Sequence, residues 1–202
     1  HNRHTCMLNL AVHYGQEKPF PAATISNTAQ HYPSYLVFRF ATICGAPLLI
    51  MTWVLNYFLL RSKCSRVRWF LPEVSVLLGT AGALALMGST ATLDTGRHNT
   101  GWHVKCATSF FLLTIFACLY NTFVNIMVQR TSHCFSRLSM VAKYILSALL
   151  AVWLYLALYS KNPNKNFGHV VEYVLAFLIL GYVYVIGYDM RDFRLDYDLT
   201  TA

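Results

Sequence analysis

The sequence predicts an all-α, polytopic transmembrane helix bundle with five spans in this chain, and three observations lead there. Hydrophobic residues make up 56% of the 202 residues and charged residues only 12%, against about 25% in ordinary soluble domains. The mean hydropathy is +0.43 in a 23.0 kDa chain, and a soluble domain of that size has too little interior to hide so much apolar surface. The apolar residues also come in five continuous runs, each long enough for the roughly 20 residues that a bilayer crossing takes. A β-barrel would need alternation, which these runs lack. Together the observations exclude a disordered chain and an ordinary cytosolic enzyme. The net charge of +8 does not mark a nucleic-acid partner, because the basic residues cluster between apolar runs, as in the loops of membrane proteins.

The elements follow in order. Segment 1–35 holds Pro19, Pro21 and Pro33 with Tyr14, Phe20, Tyr32 and Tyr35, a composition that suits an ordered lumenal or extracellular loop on the membrane face. The bundle then occupies 36–190, and 191–202 is a cytoplasmic tail. The spans read as about 36–60, 71–92, 103–128, 138–160 and 168–189. The second opens with Pro72 and Glu73, and an acid in a first turn complements the helix dipole. Its Gly79, Gly82 and Gly88, with Ala81, Ala83 and Ala85, offer a small-residue surface for close helix packing.

Orientation follows from the basic loops. Arg61, Lys63, Arg66 and Arg68 crowd one loop without an acid, Arg130 and Arg137 flank another with Lys143 close by, and Arg191 and Arg194 lie in the tail. This side is expected to be cytoplasmic, and its loop 61–68 to contact anionic inner-leaflet lipid. The other side is lumenal or extracellular. The chain begins at His1, and a preceding helix is expected, giving six spans in the full protein with both ends cytoplasmic.

Ionisable residues at membrane spans are costly and call for partners. On the non-cytoplasmic side these are Arg39, Asp94, His98, His103, Lys105, His169 and Glu172. His169 and Glu172 are three apart and share a helix face. Folding the spans into a bundle could gather Arg39, Asp94, His98, His103, His169 and Glu172 at one rim as a polar pocket for a lipid head group. There Arg39 or Lys105 would meet a phosphate and a His–carboxylate pair could move a proton. The competing reading is a set of snorkelling interface residues and helix-end ion pairs. On the cytoplasmic side Glu73, Asp189 and Asp192 face the basic cluster. No catalytic residue is identifiable: Ser75, Ser89, Ser109 and Ser147 read as packing serines without a G-x-S-x-G motif. The spacing of His98 and His103 is not a helical ligand pair, so no metal and no cofactor is expected.

Two stretches carry a family resemblance. Pro21-Ala-Ala-Thr-Ile-Ser-Asn-Thr-Ala29 followed by Tyr32-Pro-Ser-Tyr-Leu-Val-Phe-Arg-Phe40 resembles the loop-to-second-helix signature of the FRAG/DRAM/SFK family. Val171-Glu-Tyr173 through Tyr188-Asp-Met-Arg-Asp-Phe193 resembles its last helix, and Asp94 and His98 are similar to an acid and a histidine before its fourth. The resemblance implies six helices, of which this chain would hold the second to sixth. The run ending in Arg39 and Phe40 is most similar to the members that remodel GPI-anchor lipids. The resemblance therefore implies a multi-pass protein of the Golgi or endoplasmic reticulum, with plasma membrane and lysosome as other locations. Its partners would be membrane lipids and GPI-anchored proteins or another membrane subunit, and whether it is an enzyme is left open. The alternative is a non-enzymatic, DRAM-like regulator or auxiliary subunit. A transporter is disfavoured, because repeated halves and mid-membrane charges are missing from the pattern.

Overall fold

Each apolar run becomes a helix. The computed structural model describes residues 34–63, 71–92, 101–132, 135–159 and 165–191. The chain forms α1 (Ser34–Lys63), α2 (Leu71–Ala91), α3 (Gly101–Ser132), α4 (Arg137–Tyr159) and α5 (Lys165–Met190). All five are long and apolar enough to cross a membrane, and no strand occurs among the described residues. Even α2, with 21 residues, reaches about 30 Å at 1.5 Å per residue, the thickness of a bilayer's hydrocarbon core. The fold class is therefore the one the sequence predicts. α3 is longer than expected: it runs four residues past 128, to Ser132.

Side-chain contacts show that the helices alternate in direction. Arg61 near the end of α1 meets Glu73 at the start of α2. His103 at the start of α3 meets the backbone of Ser89 near the end of α2. Lys143 in the first half of α4 meets Asp189 at the end of α5. One end of the bundle therefore collects Arg61, Arg130 and Arg137, and is called the basic end below. The turn from α3 into α4 at that end is held by Gln129, whose side chain accepts from Phe135 N at 2.9 Å and donates to Phe135 O at 3.3 Å. Ser136 then caps α4 by accepting from Ser139 N at 3.1 Å, satisfying one of the first-turn donors a helix leaves open.

Helices in lipid gain nothing from hiding apolar surface from each other, so close packing and internal hydrogen bonds hold them together. The glycines of α2 show this. A Cβ on Gly79 would enter the indole of Trp53, which is fully buried against it from α1. A Cβ on Gly82 would stand 2.5 Å from Thr114 Oγ1, and one on Gly88 3.2 Å from Cys106 Sγ, both on α3. α2 thus lies tight between α1 and α3, as its small-residue surface predicts. One apolar cluster centres on Trp53, Ile115, Leu150 and Tyr182. A second, of Leu59, Leu60, Val124, Val128, Phe135 and Met140, fills the basic end. Phe40, Leu77, Phe177 and Tyr184 face outward, where acyl chains would cover them.

Candidate functional site

Away from the basic end, α1, α2, α3 and α5 part around a cavity of about 470 Å³. Small residues open it: Ala41 and Gly45 on α1, Ala107 on α3 and Ala176 on α5. The lining runs from Phe38 to Thr52 along α1 and from Glu172 to Val183 along α5, about 21 Å and 17 Å at helical rise. That makes a slot about as long as one leaflet of a roughly 30 Å core is thick. Its volume lies within the range of small-molecule sites, about 300–1,000 Å³. Its walls are apolar apart from Thr42, Thr52, Ser89 and Glu172.

The structure distributes the expected rim residues differently. Glu172 lines the slot at its outer end. Arg39 is half-buried on α1 next to the lining residue Phe38, with its guanidinium 4.2 Å from the Tyr35 ring centre. It is not part of the lining. His103 is buried, and its Nδ1 lies 2.7 Å from the carbonyl oxygen of Ser89. A carbonyl can only accept, so Nδ1 carries the proton; His103 braces the wall that Ser89 contributes. Lys105 reaches over the exposed Trp102 ring at 5.1 Å, an interface arrangement. Asp94 and His98 lie outside the described residues, as does the side chain of His169.

At the basic end Arg61 Nη2 lies 2.6 Å from Glu73 Oε1, and Tyr57 OH bridges the two at 3.3 Å each. The expected pairing of Glu73 with the basic cluster is thus made by Arg61. Arg66 and Arg68, and the side chain of Lys63, lie outside the described residues. Cys106 carries a free thiol, and among the described residues no group of His, Cys, Asp and Glu could hold a metal.

Sequence reasoning missed a buried polar seam below the slot. Asn56 Nδ2 donates to Asn121 Oδ1 at 2.8 Å, and Asn121 Nδ2 donates to Tyr182 OH at 3.2 Å. Thr122 Oγ1 is 2.7 Å from both Tyr182 OH and Ser147 Oγ. Tyr182 accepts from Asn121, and in its contact with Thr122, as in that of Thr122 with Ser147, either hydroxyl can donate. This chain ties α1, α3, α4 and α5 together, all with buried side chains. Thr52, at the slot's inner end, is one turn from Asn56 on α1. One turn from Ser147 on α4, Lys143 Nζ lies 2.5 Å from Asp189 Oδ2 and 4.6 Å from the Phe135 ring centre. The side chains of the pair are 0% and 4% exposed. Asp189, expected to face the basic loop and tail, turns instead into the bundle.

Five membrane-length helices, a leaflet-long apolar slot and a buried polar seam define a polytopic integral membrane protein. The family model described as Frag1/DRAM/Sfk1/Cwh43P N-terminal domain matches residues 5–193, and the chain belongs to that family. Comparison with curated proteins and with solved structures gives no match.

Proposed function

We propose that this protein holds a lipid in its slot and acts in remodelling the lipid of GPI anchors, in the membrane of the Golgi or endoplasmic reticulum. The observation that carries the reading is the slot itself: leaflet-long, apolar, and ending at a carboxylate. Membership of the family and the resemblance of Tyr35–Phe40 to its GPI-remodelling members support it. The positive-inside rule favours a cytoplasmic basic end, which turns the slot toward the lumenal leaflet, where GPI lipids reside. Membrane lipids and GPI-anchored proteins are the partners this reading names.

The test is surface staining of several GPI-anchored proteins in cells lacking the gene, with rescue by wild type, Glu172→Ala or Arg39→Ala. The reading expects staining to fall, to return with wild type, and to return least with Glu172→Ala. Unchanged staining in the deficient cells would overturn it. A regulator or auxiliary subunit would then be sought by co-purification with and without residues 191–202.

A further inference from the structure

We propose that the slot is loaded sideways from the bilayer: a lipid's hydrocarbon chain enters through a portal between α1 and α5, and the outer half of α1 swings about Pro47 to admit it. This rests on the lipid-holding reading of the slot and adds its route and its moving part. The portal shows in which lining residues reach the surface. On α2 and α3 the lining residues Leu86, Ser89, Ala107, Phe110 and Phe111 are buried or half-buried. Among the described residues, exposed lining occurs on α1 and α5 alone, at Ala41 and at Leu48 and Leu180, each of the two leucines 63% exposed. A side chain that lines a cavity and also meets the surroundings marks where the cavity opens. Leu180 lies eight residues past Glu172, about 12 Å deeper at helical rise. The opening therefore faces acyl chains rather than head groups. The seam of Asn56, Asn121 and Tyr182 closes it on the inner side. A helix is 10–12 Å across with its side chains, so one as long as the slot would fill on the order of 2,000 Å³. The slot offers about 470 Å³, which suits a hydrocarbon chain and not a helix.

The moving part follows from how unevenly α1 is held. Its inner half buries Trp53 against Gly79, Asn56 in the seam, and Leu59 and Leu60 in the second apolar cluster. Between Ser34 and Ala46 only Thr42 and Ala46 are buried. Segments with few buried contacts open at the lowest cost. Pro47 stands at the border of the two halves, inside the helix. It has no N–H, so the carbonyl of Ile43 lacks its ladder partner, and prolines are where helices bend. Gly45 lines the slot two residues earlier, and a Cβ there would meet nothing within 4 Å. On the other side Phe40 and Ile43 are 72% and 61% exposed, so no described helix blocks an outward swing. Thr42 donates to Phe38 O of its own helix at 2.8 Å and moves with it. The swing trades apolar contacts for apolar lipid, which costs little.

The probe is phosphatidylinositol with a photoactivatable, clickable acyl chain, supplied to the full chain in nanodiscs. Crosslinks to peptides 41–52 and 172–183 are read by mass spectrometry. Leu48→Cys and Leu180→Cys, together in a chain with alanine for its own cysteines, let a bifunctional thiol reagent bridge the portal. Bridging before the lipid is added should reduce labelling to the level of Ala176→Trp, which fills the slot. Bridging after loading should trap the lipid, so that labelling survives a chase with unlabelled phosphatidylinositol. The same reagent on either cysteine alone should do neither. Pro47→Ala restores the missing hydrogen bond and should slow lipid exchange about fivefold, the weight of one such bond, with unchanged final labelling and undiminished Tm. Labelling that Ala176→Trp suppresses but the bridge neither blocks nor traps would overturn the portal and leave a lipid slot standing. Exchange unaltered by Pro47→Ala would overturn the hinge. No labelling that Ala176→Trp suppresses would overturn the lipid-holding reading itself. A photoreactive amino acid in place of Leu180 serves where the bridged chain does not fold: in native membranes it should capture lipid, and capture of protein instead would overturn the portal.

Discussion

Replacing Lys143 by Met leaves Asp189 as a buried carboxylate without its cation. The pair is almost wholly enclosed, with side-chain exposures of 0% and 4%, so water cannot take over the lost partner's role. Breaking a buried ion pair from one side costs about 3–5 kcal/mol. For a chain of this size each kcal/mol moves Tm by about 2–4 °C, so Lys143→Met should lower Tm by about 6–20 °C. Asp189→Leu should do the same from the other side, leaving an unpaired ammonium against Phe135. The double variant should recover most of the loss, because a buried pair replaced by packed apolar groups is often neutral or better. The assay is thermal unfolding of detergent-purified protein, followed by fluorescence-detected gel filtration for all four members of the cycle. Single variants within 2 °C of wild type, or a double variant at the sum of the two losses, would refute the account of this pair. The Arg61–Glu73 pair at the same end is the internal control: both side chains are partly open to solvent, 37% and 28%, and such pairs contribute little. Arg61→Met should therefore leave Tm near wild type.

Further expectations follow from the packing and the seam. Tyr182→Phe removes the hydroxyl that joins Asn121 to Thr122; stranding buried polar groups costs about 1–3 kcal/mol, seen as a Tm loss in the same assay. Gly79→Val would drive its side chain into the Trp53 indole; the expected result is loss of monodisperse protein, whereas Gly187→Val, with open space around it, should be tolerated. His103→Ala removes the donor held by Ser89 O. It should lower Tm by a few degrees in the same assay.

What the sequence made legible was governed by local rules. Continuous apolar runs name their helices because the bilayer sets the length, and α1 to α5 emerged close to the stretches that composition marks. The glycines of α2 were readable as a packing surface because only the absence of a side chain lets helices approach so closely. Glu73 beside Pro72 announced a helix start facing a basic loop. Partner choice was harder. Asp189 has Arg191 and Arg194 beside it in sequence, and only the packing of α4 on α5 selects Lys143, 46 positions away. The seam joins Asn56 to Asn121 and Asn121 to Tyr182 across 65 and 61 positions, and each residue alone reads as an unremarkable polar residue in an apolar run. Three asparagines inside spans, two of them, Asn121 and Asn125, one turn apart on α3, were the available signal. The slot was illegible for another reason: small residues on three helices create it, and their coincidence at one depth exists only in the folded bundle.

The central claim, that the slot serves the remodelling of GPI lipids, is tested most directly by the lipid itself. The measurement is the mass-spectrometric chain composition of one reporter GPI-anchored protein, purified from cells lacking the gene and from the same cells carrying wild type or Ala176→Trp. The account predicts an altered chain composition in the deficient cells, restored by wild type and not by a normally expressed Ala176→Trp protein. Identical chains in all three would contradict it.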